Sequence, residues 1–340
     1  MSRYVVIGGG AVGGLLAAQL QLAGRSVVLV ARGAQLAAVR AGGLRVRRPH
    51  GDDVVRLATA GGPDEVRLRT GDVLVLATKA QDAEAALATW AWQPVHDGDA
   101  QDAAVAGAGA DLPVLTLQNG LATEDAALRR FARVYGVTVG VAASYLVPGE
   151  VVSPSYPVVG LLWLGRYPAP AGPVVADADQ ERFVRDLAAA GFAATSVPDI
   201  SAWKARKLLG NVRNGLDLLD GTDEEKTRAG TLLVAEAEAA YAAAGIVPAP
   251  ADAIQAGARL SIEAVPGHVP GRLSTWQSFA RGATSEIDHL NGEIVGLGRR
   301  HGVPTPHNER LQRLLGAQAA AGAPPGTHRV AELLPVDAGV

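Results

Sequence analysis

Residues 202 to 214 read AWKARKLLGNVRN and set two lysines, two arginines and two asparagines among apolar residues. If the stretch is helical, Lys207, Asn211 and Asn214 share one face within an arc of about 60° at 100° per residue. Lys204 and Arg213 point elsewhere. A solvated helix face usually pairs a lysine with an acid four residues away, but the neighbours of Lys207 at that distance are Trp203 and Asn211. Two neutral amides beside an ammonium can hold a carbonyl and a hydroxyl while the ammonium offers a proton, which suits acid catalysis on a carbonyl compound. A plain exposed face with Lys and Asn is the competing explanation, and pattern alone leaves both open.

A second set sits near the N-terminus. VVIGGGAVGG places Gly8, Gly10 and Gly13 in G-x-G-x-x-G spacing, directly after an apolar run and before a helical one. In that context the first glycine makes a tight turn, the second lets backbone approach a pyrophosphate, and the third lets helix pack on strand. Backbone from Gly8, Gly10, Ala11, Val12 and Gly13 then faces the phosphates at the positive end of the helix dipole. The run ending at Arg32 decides which dinucleotide is expected. An acid there would bind the ribose 2′-hydroxyl of NAD, whereas an arginine accommodates the 2′-phosphate of NADP. No Asp or Glu lies between Gly8 and Arg32, so the cofactor expected is NADP(H). Lys79 and Asn119 end the apolar runs DVLVLATK and PVLTLQN. Ligands of open parallel sheets bind beyond the strand C-termini, so both are candidate contacts near the nicotinamide. Each is equally explained as a polar strand end.

Ser274 and Glu286 have structural explanations of their own. STWQ has the S-x-x-Q form of a capping box, and Glu286 falls in the first turn of a helix expected over 285–301, where the dipole favours a carboxylate. The seven histidines, at 50, 96, 268, 289, 301, 307 and 328, show no ligand spacing, and no metal is expected. Without cysteine the chain has no disulfide or thiolate chemistry. No G-x-S-x-G elbow marks a hydrolase.

These residues need a framework, and 340 residues suggest two domains. The composition, 48% hydrophobic and 19% charged, is that of a globular protein, and a net charge of −3 gives no reason to expect nucleic acid as a partner. No leader pattern and no run of about 18 apolar residues is seen, so neither a membrane segment nor export is expected and the cytoplasm is the default. Short β-rich runs at 4–8, 26–32, 72–79 and 113–120 alternate with helical segments at 11–23, 34–41 and 80–90. That pattern predicts a doubly wound parallel sheet, a Rossmann-like dinucleotide-binding domain over 1–198. Weaker strands are expected at 44–46 and 55–60, and an exposed loop over 93–112. Further strands, antiparallel, are expected within 135–153 and 156–167. From 199 to 320 the pattern predicts an all-α domain that would carry substrate and catalysis, with helices at 200–218, 223–244, 251–264, 274–281 and 285–301. In the last of these Ile287, Leu290, Ile294 and Leu297 form an apolar stripe. Residues 321–340 are expected to fray. Helical faces rich in Ala and Leu leave a homodimer open.

Taken together, GGGAVG, the AR at the end of the second run, TKAQ, LQNG, KLLGN, LSTWQSFARGATSEIDHLNG and GVPTPHN resemble the ketopantoate reductase (2-dehydropantoate 2-reductase) family over about residues 3 to 315. The resemblance implies NADPH-dependent reduction of a 2-oxo acid to its 2-hydroxy acid, pantothenate synthesis being one pathway that uses it. By that analogy Lys207 is the general acid. Glu286, Asn211 and Ser274 hold substrate hydroxyl and carboxylate groups, and Asn119 and Lys79 line the junction with the cofactor. The sequence departs from the family at Gly215, where a second asparagine commonly follows the first, which leaves Asn214 as the available amide. Two other readings stay open: another 2-hydroxy-acid or opine-type dehydrogenase, and a non-catalytic NADP(H) sensor.

Overall fold

The structure, a computed structural model, describes residues 2–98, 100, 104–170, 177–252, 260–268, 275, 276, 279 and 285–334. Two compact units partition the chain: Met1–Gln118 with Ala122–Trp203 and Asp252–Val269, and Asn119–Leu121 with Lys204–Ala251 and Pro270–Val340. The division near residue 203 falls inside one helix, α6 (Ile200–Asn211), rather than at 198.

The first unit is built on an eight-stranded sheet. Its order runs Ala193–Ser196, Leu161–Tyr167, Val134–Gly140, Val114–Thr116, Asp72–Leu76, Arg3–Ile7, Ser26–Val30, Ala58–Ala60. Every pairing is parallel except Val134–Gly140 with Leu161–Tyr167. Strands such as Asp72–Leu76, fully buried and apolar after Asp72, read as continuous apolar runs because helices cover both faces. The covering helices are α1 (Ala11–Leu22), α2 (Gly33–Gly42), α3 (Ala80–Ala91), α4 (Thr123–Leu128) and α5 (Ala178–Ala189). The chain leaves Arg3–Ile7 toward one edge and returns on its other side at Asp72–Leu76, so the strand order reverses between these two neighbours. Such a reversal opens a crevice beyond the strand C-termini. Ile200, fully buried, packs α6 onto this unit, where an added Cβ on Gly136 would lie 2.9 Å from its Cγ1. Trp203 stacks on Trp163 at 5.1 Å between ring centroids.

Two local expectations fail here. Within 93–112, Pro94–His96 pairs antiparallel with Val105–Ala108 and parallel with Leu68–Arg69, so the stretch is not one exposed loop. Within 251–264, Leu260–Ile262 is a strand paired with Ser155–Pro157 rather than helix; residues 253–259 and most of 274–281 lie outside the described residues.

The second unit is helical. It comprises the end of α6, a 3-10 turn at Asn214–Leu218, and three long helices: α7 (Asp223–Ala244), α8 (Asn291–His301) and α9 (Pro306–Ala320). α7 is capped at both ends: Thr222 and Glu225 close a capping box, and Gly245 ends the helix at φ +69°. The stripe Ile287, Leu290, Ile294 and Leu297 is buried in the core of this unit, although a 3-10 turn at Ile287–His289 precedes α8. The expectation of a frayed segment from 321 also fails. Val330 and Leu333 are buried in the same core, and Asp220 pairs with Arg329, its N–H donating to His328 O at 2.8 Å. Among the described residues no helix is long and apolar enough to cross a membrane.

Candidate active site

In the sheet unit the glycine-rich turn lies at the strand reversal. Gly8 adopts φ +118°, and a Cβ there would stand 2.7 Å from the backbone of Ala77. The turn and the segment ending in Thr78 and Lys79 are therefore in backbone contact. Gly13 packs closely enough that a Cβ would lie 2.0 Å from Gly8 O and 2.8 Å from Ala77 Cβ. A Cβ on Gly10, the N-cap of α1, would meet nothing within 4 Å. The amides of Ala11, Val12 and Gly13 form the first turn of α1, where N–H groups have no carbonyl within the helix. The arrangement fits a pyrophosphate: open space beside Gly10, first-turn amides, and no acid in that turn.

Polar groups that spacing did not single out hold this turn in shape. Gln35, buried, donates from Nε2 to Gly9 O at 2.9 Å and accepts at Oε1 from Gly149 N at 2.6 Å. Gln118 donates from Nε2 to Leu76 O and Thr78 O, both at 3.0 Å. The only sequence signal for Gln35 was its place three residues beyond Arg32. Arg32 itself is exposed at the N-cap of α2, just past the second strand, and Lys79 is half-buried at the N-cap of α3.

In the helical unit Lys207 lies mid-helix on α6, half-buried, and burial lowers its amine to about 7. The nearby charge of Lys204 lowers it further, while Glu286 acts in the opposite direction. Glu286, with 4% of its surface exposed, precedes the Ile287–His289 turn, so it is not in the first turn of a continuous 285–301 helix. Its backbone carbonyl accepts from His289 N at 2.9 Å. Asn211 is the last residue of α6, and its Nδ2 is buried with no hydrogen-bond partner among the described residues. Asn119 belongs to this unit, half-buried; Gly120 beside it, at φ +86°, comes so close to α8's leading segment that a Cβ would stand 2.5 Å from His289 O.

The family model for ketopantoate reductase PanE/ApbA matches residues 4–168, and that for its C-terminal part matches residues 199–319. The chain belongs to this family. It is therefore an oxidoreductase acting on CH–OH, of the 2-dehydropantoate 2-reductase kind. A 2-dehydropantoate 2-reductase of Archaeoglobus fulgidus is 27% identical over 326 residues, covering 93% of this chain and 97% of that protein. A PanE/ApbA family ketopantoate reductase from Ralstonia eutropha superposes with a TM-score of 0.72 at 25% identity, over 95% of this chain and 99% of its own. The fold is shared as well with a D-mandelate dehydrogenase in ternary complex with NADH and anilino(oxo)acetate, at TM-score 0.75 and 21% identity, over 95% of this chain and 99% of the other.

Two of the expected site residues, Ser274 and Asn214, and the departure at Gly215 need comment. Ser274 lies outside the described residues. The α-helix stops at Asn211, and Asn214 begins a 3-10 turn, so the helical arithmetic that put Asn214 on the face of Lys207 does not reach it. Gly215, where the family commonly has asparagine, is buried against α9: a Cβ there would sit 2.6 Å from Leu315 Cδ1 and 3.3 Å from Leu311 Cδ2. Family and fold leave one neighbour of Lys207 unexplained. Lys204, which helical geometry pointed away, is buried with 5% of its surface exposed.

Proposed function

We propose that this chain reduces a 2-oxo acid, 2-dehydropantoate or a related branched one, to the 2-hydroxy acid with NADPH. The glycine turn and the α1 N-terminus would hold the pyrophosphate, and the exposed guanidinium of Arg32 would meet the 2′-phosphate. Bound reduced nicotinamide supplies a hydride. As the substrate C2 accepts it, negative charge grows on the carbonyl oxygen; Lys207 stabilises that charge and transfers a proton to the oxygen, ending as the neutral amine. Glu286 and Asn211 would hold substrate polar groups, with Lys79 and Asn119 contributing near the nicotinamide. A contribution from Ser274 rests on the family resemblance.

The observation that carries this reading is Lys207, an amine brought to about 7 by burial and Lys204, with Glu286 opposing. A general acid works best when its acidity matches the working pH, and an ordinary lysine gives up its proton far less readily. The test follows the loss of reduced-nicotinamide absorbance with a panel of 2-oxo acids, 2-dehydropantoate first, with NADPH and then NADH. Lys207→Ala is expected to lose roughly 10²–10⁴-fold in kcat while still binding NADPH; a kcat near that of the parent would dismiss Lys207 as the acid.

A second reading, reduction of a 2-oxo acid with an apolar or aryl side chain, is favoured by Gly215. Leu311 and Leu315 fill the place that a side chain there would take, so no second family amide is present to bind a substrate hydroxyl. The fold shared with a D-mandelate dehydrogenase agrees with it. An aryl 2-oxo acid turned over faster than 2-dehydropantoate would select this reading.

A further inference from the structure

We propose that Lys204 is a positioning residue for the acid: a buried lysine, one helical turn before Lys207, that makes Lys207 a readier proton donor. The inference rests on the reading of Lys207 as general acid.

The composition points first to these two positions. Of 31 basic residues only four are lysines, Lys79, Lys204, Lys207 and Lys226. A chain that otherwise uses arginine has placed two of its four lysines in a single turn of α6. Arginine stays charged at any accessible pH, whereas an amine can be brought into the working range by burial and neighbours. Lysine is also among the residues least often buried, yet Lys204 exposes only 5% of its surface.

Geometry explains what the pair does. Residues three apart on a helix have Cβ atoms about 5–6 Å apart, and a like charge at that range makes the charged form of Lys207 less favourable. The Lys204 charge lowers the Lys207 amine, second only to burial itself. Other charged groups acting here include Glu286, which raises Lys207, and Arg206 and Glu293, which act on Tyr241 of α7. Arg206 is engaged by Ala249 O, and Tyr241 donates to Ala205 O at 3.2 Å. Glu286 thus keeps the ammonium populated, and Lys204 keeps it willing to lose its proton. The protonated form is present below about 7, so reductase turnover falls as pH rises through that value.

Only four lysines makes the titration directly readable. Protein carrying 13Cε-lysine is titrated by NMR, with Lys207→Ala removing one signal to assign it. Lys204→Met should move the Lys207 midpoint up by roughly one to two pH units, and the alkaline limb of kcat for NADPH-dependent reduction of 2-dehydropantoate should move with it. Lys204→Arg, which keeps the charge, should restore both. If Lys204→Met folds poorly, Lys204→Gln asks the same question. An unmoved Lys207 midpoint overturns the proposal, as does a raised KM with the midpoint unchanged, which would mean that Lys204 binds substrate. If Lys207→Ala keeps full kcat, the reading of the acid fails instead, and the NMR midpoints still judge Lys204.

Discussion

Asn211 shows how a single side chain can record a ligand. Its Nδ2 is buried without a hydrogen-bond partner among the described residues, and an unsatisfied buried donor costs about 1–3 kcal/mol. A substrate oxygen would recover that cost on binding. Asn211→Ala is therefore expected to raise KM for the 2-oxo acid roughly 10–100-fold, equivalent to about 1.4–2.8 kcal/mol. The same change should leave Tm within about 2 °C of the parent, because it removes an Nδ2 donor left unpaired among the described residues. Steady-state kinetics and thermal unfolding on one preparation decide it: a large fall in Tm with unchanged KM would make Asn211 structural. Lys204 differs from it in kind. Its position was visible in the sequence, but its burial was not, because burial is set by what packs on α6 rather than by the angle of a residue on an isolated helix.

At the scale of elements the glycines of the β1–α1 turn, with β1 the strand Arg3–Ile7, divide into two classes. Gly13 faces Gly8 O and Ala77 Cβ and serves packing, while Gly10 faces open space. Gly13→Ala should then lower Tm and NADPH affinity together. Gly10→Ala should keep Tm but weaken NADPH at least about tenfold, or 1.4 kcal/mol, since its methyl would occupy the side from which a phosphate approaches. Fluorescence titration with NADPH separates them, and a Gly10→Ala protein that binds like the parent would remove the phosphate from this place. This turn was legible because its residues carry their function locally, and α1 and α7 were legible from their own helical pattern. The pairing of Leu260–Ile262 with Ser155–Pro157 was not, since a three-residue strand is defined by a partner about a hundred positions away and its own composition is ambiguous. The edge strand Val105–Ala108 is mostly Ala and Gly and shows no alternation to read. α6 was read as running to residue 218, but its backbone turns to 3-10 at Asn214, so the α-helical angle that assigned Asn214 to the face of Lys207 does not apply to it.

Across the whole molecule each unit has its own apolar core, and the helical one is tied together by buried polar groups. Asn308, fully buried, donates from Nδ2 to Leu233 O at 3.0 Å and Glu236 Oε2 at 2.8 Å, and accepts at Oδ1 from Asn291 Nδ2 at 2.9 Å. Asn291 also donates to Val212 O at 2.9 Å, and Glu236 accepts from His307 N at 2.8 Å. One amide thus joins α7, α8 and α9, and through Asn291 it reaches the residue that follows Asn211. The PHN of GVPTPHN, part of the family resemblance, contributes His307 and Asn308 to this network rather than to the proposed chemistry. Apart from Asn291 Oδ1, which has no partner among the described residues, the network is paired, and breaking it is costly because each remaining partner is left unpaired in a medium of low polarity. Asn308→Ala should destabilise the protein by about 2–4 kcal/mol, lowering Tm by on the order of 5–10 °C. Calorimetry measures it. A Tm within about 2 °C of the parent would mean that the helices are held by apolar packing alone, with the asparagines as passengers.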